Sequence, residues 1–208
     1  MAQIEPKINF YKLKRFPEIN SENGNSQIDT TAFLESTSQV IDSIESFGRL
    51  FTPIVTDMRG NVKRLHAKYK ENEQTFHYLE DLILHDKDGN EITFDTVTEG
   101  LLWLKRALEM IEIFFRNMLD DPSGSDIVKH HLKNAYEAAL LPYHGYLAQK
   151  GFHLLHHYIP SRTTLLGSAE SNHQNIEALK NYLITFKANI EYLNRFIEDH
   201  DFNKTYKV

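Results

Sequence analysis

Four polar residues on one predicted helix have the spacing of a binding site. Asp57, Asn61, Arg64 and Lys68 stand at i, i+4, i+7 and i+11, which at about 100° per residue places them in one stripe about 60° wide. On the same helix Ile54, Val55, Met58, Val62, Leu65 and Tyr69 fill an adjoining arc of roughly 100°. A carboxylate acceptor, an amide that donates and accepts, and two cations therefore flank an apolar face. That combination suits a ligand with hydroxyls and a greasy body. The plainer alternative is a solvated helix flank with an Asp57–Arg64 pair worth under about 1 kcal/mol.

Trp103, in Leu101-Leu102-Trp103-Leu104-Lys105-Arg106, is the single tryptophan. A flat ring beside cations can stack on the apolar face of a sugar, and a core position is the competing reading. His144, in Pro142-Tyr143-His144-Gly145-Tyr146, adjoins a glycine that permits close approach of backbone or ligand; a satisfied structural histidine is its plain alternative. His153, His156 and His157 stand at i, i+3 and i+4. They lack an intervening general-base Glu and a further ligand, so no metal site is expected. Asn203-Lys204-Thr205 is a glycosylation sequon by pattern alone. No Ser-centred elbow, P-loop, GxGxxG or paired catalytic carboxylates occur, so no catalytic residue and no cofactor are expected. A Ser/His/Asp hydrolase has no local support.

The elements that must position these residues are helical. The chain has 208 residues, no cysteine, and 9 Gly with 6 Pro, a low content of breakers that favours long helices. Periodicity predicts a helix from Thr30 or Thr31 to Gly48, and Thr52-Pro53 is a cap followed by proline at the first helical position, opening a second to Lys70 or Glu71. Further helices are expected at about 73–85, at 96–119 behind the capping box Thr96-Val97-Thr98-Glu99, at 126–141 and at 142–159. Asp86 to Asn90 reads as a turn, because its glycine is misplaced for a calcium loop. A polar loop follows Pro160. The last helix carries Ile176, Leu179, Leu183, Phe186, Ile190, Leu193 and Ile197, a heptad stripe that either packs inside an all-α domain or meets a partner helix. Residues 1–27 read as a polar, loosely held arm and 28–208 as a single all-helical domain.

Composition narrows the function. The absence of cysteine excludes disulfides and thiolate metal sites and fits a reducing compartment. No apolar h-region opens the chain and no apolar run approaches 18 residues, so a cytoplasmic location is expected. A net charge of -6 argues against nucleic acid and against strong docking on anionic membranes.

The segments Thr52 to Val62, Gly100 to Arg106 and Tyr143-His144-Gly145-Tyr146-Leu147-Ala148-Gln149-Lys150 together resemble the glycolipid transfer protein family. The ending Thr205-Tyr206-Lys207-Val208 is similar too. The resemblance runs in register over about residues 30–208. It implies a two-layer helical sandwich of about eight helices, and non-enzymatic shuttling of glycosphingolipids between membranes by a monomer that touches membranes transiently. By the same resemblance Asp57 accepts from the ceramide amide and the sugar, Asn61 bonds sugar hydroxyls with Arg64 nearby, Trp103 stacks on the sugar, His144 bonds the ceramide carbonyl and Tyr206 closes on the head group. Phe33, Phe47, Leu108, Leu140, Phe152 and Phe186 are the expected acyl pocket, and Tyr146 with Lys150 the membrane contact.

Two positions depart from the family pattern. Arg64, beside Lys63, replaces the usual lysine, and Tyr146 replaces a tryptophan. A planar fork in place of a point donor can shift sugar selectivity. The alternatives are a ceramide 1-phosphate carrier, which would put basic residues where Trp103 stands, a glycolipid sensor, and a helical interaction module using the 176–197 stripe.

Overall fold

The computed structural model describes residues 5–22, 25–85, 96–168, 172–204 and 206–207. Among these, eight α-helices carry the fold: α1 (Thr30–Glu45), α2 (Thr52–Glu71), α3 (Leu79–Leu84), α4 (Thr96–Asp120), α5 (Lys129–Ala139), α6 (Tyr146–Leu155), α7 (Arg162–Leu166) and α8 (His173–Asp199). Helices α2, α5 and α8 pack around α4, and α1 packs on α2. The result is the two-layer all-α sandwich. The one sheet among the described residues is a small antiparallel hairpin, β1 (Asn20–Glu22) with β2 (Asn25–Gln27).

Local chemistry sets the ends of the two helices that matter most. Asp29, one residue before the expected threonines, caps α1 by accepting from the Ala32 amide at 2.7 Å. After α1 the chain turns at Gly48, whose φ of +119° suits glycine. Helix α2 then starts where the sequence predicts, with Pro53 in its first turn, but the cap is Phe51 and Thr52 is already helical, with no side-chain cap bond. Its buried side is Val55, Met58, Asn61 and Leu65.

Several expectations are corrected. The helix predicted over about 73–85 shrinks to Leu79–Leu84, and those predicted at 126–141 and 142–159 shrink to α5 and α6. The polar loop after Pro160 contains α7, which Ser161 caps by accepting from the Thr164 amide at 3.3 Å. The turn at Asp86 to Asn90 lies outside the described residues.

The N-terminal segment is no loose arm. Ile8, Phe10 and Phe16 are buried, and Phe16 stacks on Phe186 of α8 with centroids 4.3 Å apart. Asn175 of α8 accepts from the Phe10 amide at 2.8 Å and donates to the Ile8 carbonyl at 2.8 Å. Asn189, two α-helical heptads further on, donates to the Pro17 carbonyl at 2.8 Å. Two buried amides thus satisfy a backbone that would otherwise lose its water contacts on burial.

The same packing decides the heptad stripe. Leu179, Leu183, Phe186, Ile190, Leu193 and Ile197 are buried within the chain, where α8 meets α4 and the N-terminal segment. Ile176, the first residue of the stripe, is partly buried against the same core, so the stripe packs inside the domain.

Candidate functional site

A cleft of about 500 Å³ lies where α2, α4 and the α5–α6 region converge, and Asp57, Asn61, Arg64, Trp103 and His144 all line it. Lys68, the fourth member of the polar stripe, instead pairs with Glu71 at 2.7 Å. On α2 the other three form a relay. Asn61, only 3% exposed, donates to Asp57 Oδ2 at 3.4 Å and accepts from Arg64 Nη1 at 3.1 Å. Burial pushes the Asp57 carboxyl above its ordinary range, and nearby Arg64 pulls it part of the way back. A carboxylate held in that state gains from any ligand donor that replaces its lost water.

Trp103 is half-buried and lines the cleft, so the core reading of it does not hold. Beneath it lies the buried Arg106, whose guanidinium carbon stands 4.8 Å from the Trp103 ring centre and 3.4 Å from that of Tyr143. Arg106 Nη2 also donates to Asn203 Oδ1 at 3.1 Å and to the Lys204 carbonyl. This ties the C-terminal segment to the tryptophan. Tyr206 does not itself line the cleft but flanks two residues that do: its ring meets Trp103 edge-on at 6.4 Å, and its hydroxyl donates to Glu99. That bond is the main reason the phenol is held above its ordinary pKa.

His144 closes the far side. Its ring is inclined 25° to Trp103 at 6.1 Å, its Nδ1 lies 3.1 Å from the Tyr136 hydroxyl, and Gln149 donates to its carbonyl at 2.8 Å. Burial, and then the Arg106 charge, lower its pKa. A neutral imidazole whose Nδ1 accepts from Tyr136 carries its proton on Nε2, the nitrogen left to donate to a ligand. The shift has a consequence for stability. The folded pKa lies below the unfolded value of about 6.5, so the unfolded state takes the proton first and stability falls as pH drops below that value. Chemical denaturation from pH 7 to pH 5 should therefore show a shallower loss of stability in His144→Gln than in the wild type. Equal slopes would contradict this assignment.

Below the polar mouth the cleft becomes apolar and adjoins a second, narrow pocket of about 60 Å³. The two share Ile54, Met110, Ile111, Phe152 and Leu155, so these side chains stand between cleft and pocket. Of the expected acyl-pocket residues, Phe47, Phe152 and Phe186 line the narrow pocket and Leu140 lines the cleft. Phe33 and Leu108 line neither: both are fully buried, Phe33 against Phe16. Leu108 sits one residue from Ala107 of the cleft, a rotation of about 100° that turns it into the core. In their place the N-terminal segment contributes Ile8, Phe10 and Leu13 to the pocket wall.

Sequence reasoning also misses Glu99, Tyr136 and Arg106. Glu99 was legible, since it stands four residues before Trp103 and so shares its helix face. Tyr136 and Arg106 act through partners that no local pattern reveals. Of the two residues expected to touch a membrane, Tyr146 is 71% exposed and the Lys150 ammonium sits 5.3 Å from its ring centre; the neighbouring Leu147, not singled out from the sequence, is 83% exposed. His156 is buried and stacked on Phe152. Among the described residues, the metal-capable side chains that converge are instead Asp121, His130 and His131, within 4.8 Å. None of them lines the cleft, and His131 already hydrogen-bonds Asp121 at 3.2 Å.

Comparison with known proteins gives this geometry a family. The family model described as Glycolipid transfer protein matches residues 28–171. The chain is 27% identical to a glycolipid transfer protein of Danio rerio over 88% of its own length and 92% of that protein's. It is 30% identical to one of Xenopus tropicalis, over 79% and 84%. Among solved structures it is similar to that of FAPP2, described as selecting simple glycosphingolipids using the GLTP-fold, with a TM-score of 0.82, 27% identity and coverage of 96% and 99%. The chain belongs to the glycolipid transfer protein family.

Proposed function

We infer that this protein binds a glycosphingolipid and moves it between membranes without changing it chemically. The observation that carries this reading is a polar mouth lined by Trp103 set directly against an apolar pocket, the two sharing five lining residues. Asp57 accepts from the ceramide amide and a sugar hydroxyl, Asn61 and Arg64 bond further hydroxyls, and the sugar stacks on Trp103. His144 donates to the ceramide carbonyl, and Tyr206 closes over the head group. Residues 28–208 form the lipid-binding domain, with Ile8, Phe10 and Leu13 adding to its pocket. The carrier acts as a monomer in the cytoplasm.

Energetics explain why such a carrier is needed. A chain of ~16 carbons in water costs roughly 12 kcal/mol at about 0.8 kcal/mol per CH₂. An apolar pocket removes most of that barrier. The pocket of about 60 Å³ is too small for a long chain, so loading displaces side chains. Met110, which lines both cavities, is well suited to adapt. A ceramide 1-phosphate cargo fits less well, because two carboxylates, Asp57 and Glu99, line the mouth.

Transfer of fluorescent galactosylceramide from donor to acceptor phosphatidylcholine vesicles tests the reading. The exposed α6 face, Tyr146, Leu147 and Lys150, is the membrane contact. Burying a leucine contributes about 1.5–3 kcal/mol, so Leu147→Asp should slow transfer at least about tenfold while binding of a short-chain, soluble glycolipid is unchanged. Transfer at the wild-type rate would remove α6 from the contact, and no transfer by the wild type would overturn the function.

A further inference from the structure

Outside the cleft, three side chains that can ligate a metal ion converge where α4 ends and α5 begins. Asp121 follows the last residue of α4, and His130 and His131 stand in the first turn of α5. Each offers one ligand atom, and the three atoms lie within 4.8 Å of one another. His131 Nε2 is 3.2 Å from Asp121 Oδ2. Two ligands about 2.0–2.1 Å from a tetrahedral Zn²⁺ stand about 3.3–3.4 Å apart, so this pair already has the spacing of a coordination edge. The His130 ring lies against that of His131, with centroids 3.8 Å apart. Exposed as it is, His130 can close the remaining gap by a side-chain rotation.

The backbone around these residues holds the carboxylate ready. The Ser123 amide donates to Asp121 Oδ1 at 2.9 Å, and the Gly124 amide donates to the Asp121 carbonyl at 3.2 Å, which leaves Oδ2 to the histidines. The His131 amide donates to the carbonyl of the buried Val128 at 3.0 Å, fixing the first turn of α5. Ligating carboxylates in metal sites are oriented by such outer hydrogen bonds. Arg162, a neighbouring cation whose charge reaches His131, donates to the Met118 carbonyl.

We propose that Asp121, His130 and His131 bind one divalent transition-metal ion of the Zn²⁺ class, with water completing the shell. Two imidazoles and a carboxylate suit Zn²⁺, Ni²⁺ or Cu²⁺, whereas Ca²⁺ and Mg²⁺ take oxygen ligands. None of the three residues lines the cleft, so the inference stands apart from the glycolipid reading. The ion ties the end of α4 to the start of α5, closing a short loop as a metal clip. Leu132, next along α5, lines the narrow pocket, and Tyr136, one turn later, lines the cleft. The clip therefore steadies a helix that contributes to both walls.

The test uses the full chain without an affinity tag, in chelator-free buffer at pH 7, titrated calorimetrically with zinc chloride. Wild type should bind one Zn²⁺ at this site, and a hundredfold excess over the dissociation constant should raise the melting temperature by about 5–10 °C. EDTA should reverse the shift, and calcium chloride at the same concentration should produce none. His130→Ala removes an exposed ligand without opening the core, so its metal-free melting temperature should match the wild type. Asp121→Asn keeps an oxygen for the Ser123 amide. Each variant should weaken zinc binding at least about tenfold, while His153→Ala, in the separate group of His153, His156 and His157, should bind as the wild type does. The inference is overturned if the wild type shows no zinc-dependent heat or thermal shift, if either His130→Ala or Asp121→Asn keeps wild-type affinity, or if His153→Ala abolishes binding.

Discussion

Trp103→Ala should slow galactosylceramide transfer by about 30- to 100-fold while leaving the helical fold intact. One face of an indole covers on the order of 100 Å², and at about 25 cal/mol per Å² its loss removes roughly 2–3 kcal/mol of ligand contact. Trp103 is half-buried rather than core, so truncation opens no sealed cavity. The fold does feel the change locally, because Arg106 loses one of the two rings that sandwich it. Circular dichroism should therefore be unchanged, with a melting temperature lower by a few degrees. Transfer at the wild-type rate would show that the tryptophan is not the sugar platform.

Asp57→Val should have the larger effect on the lipid and the smaller one on the protein. Hydrogen bonds to a charged acceptor are worth about 1.5–3 kcal/mol each, and loss of two should reduce affinity for galactosylceramide at least about 100-fold. Stability should hold or rise, because burial already works against the Asp57 carboxylate in the folded chain and its contact with Asn61 is long at 3.4 Å. A function lost without a loss of stability marks a residue kept for its ligand. A variant that both binds normally and unfolds early would assign Asp57 to the scaffold instead. Isothermal titration with a short-chain glycolipid, paired with thermal unfolding, separates the two outcomes.

What the sequence reveals here depends on whether the relevant contact is local. The Asp57, Asn61, Arg64 stripe was legible because one helix sets its spacing, and Thr52-Pro53 announces where that helix begins. Trp103 and His144 could be named by motif, but their meeting at 6.1 Å depends on how α4 packs against the α5–α6 region. The N-terminal segment was misread for the same reason. Ile8, Phe10 and Phe16 show no helical or strand periodicity, and the amides that anchor the segment, Asn175 and Asn189, lie more than 160 residues away, as the sequence separations of 165 and 172 show. The heptad stripe of α8 is visible in the sequence, yet what covers it is that distant segment together with α4. Among the apolar residues, periodicity marks the buried face but not the cavity within it. That is why Phe47, Phe152 and Phe186 line the pocket while Phe33 and Leu108, equally buried, do not. Glu99 shows the reverse case: the sequence reads it as part of a capping box, whereas the structure sets it in the cleft lining, accepting from the Tyr206 hydroxyl.

The central claim is that the mouth and pocket together hold one glycosphingolipid. Native mass spectrometry of the full chain mixed with galactosylceramide-containing vesicles tests it most directly. The account predicts one added lipid mass per chain, on a monomer, that disappears in Asp57→Val and Trp103→Ala. A chain that stays lipid-free, or that retains the lipid equally well in both variants, would contradict it.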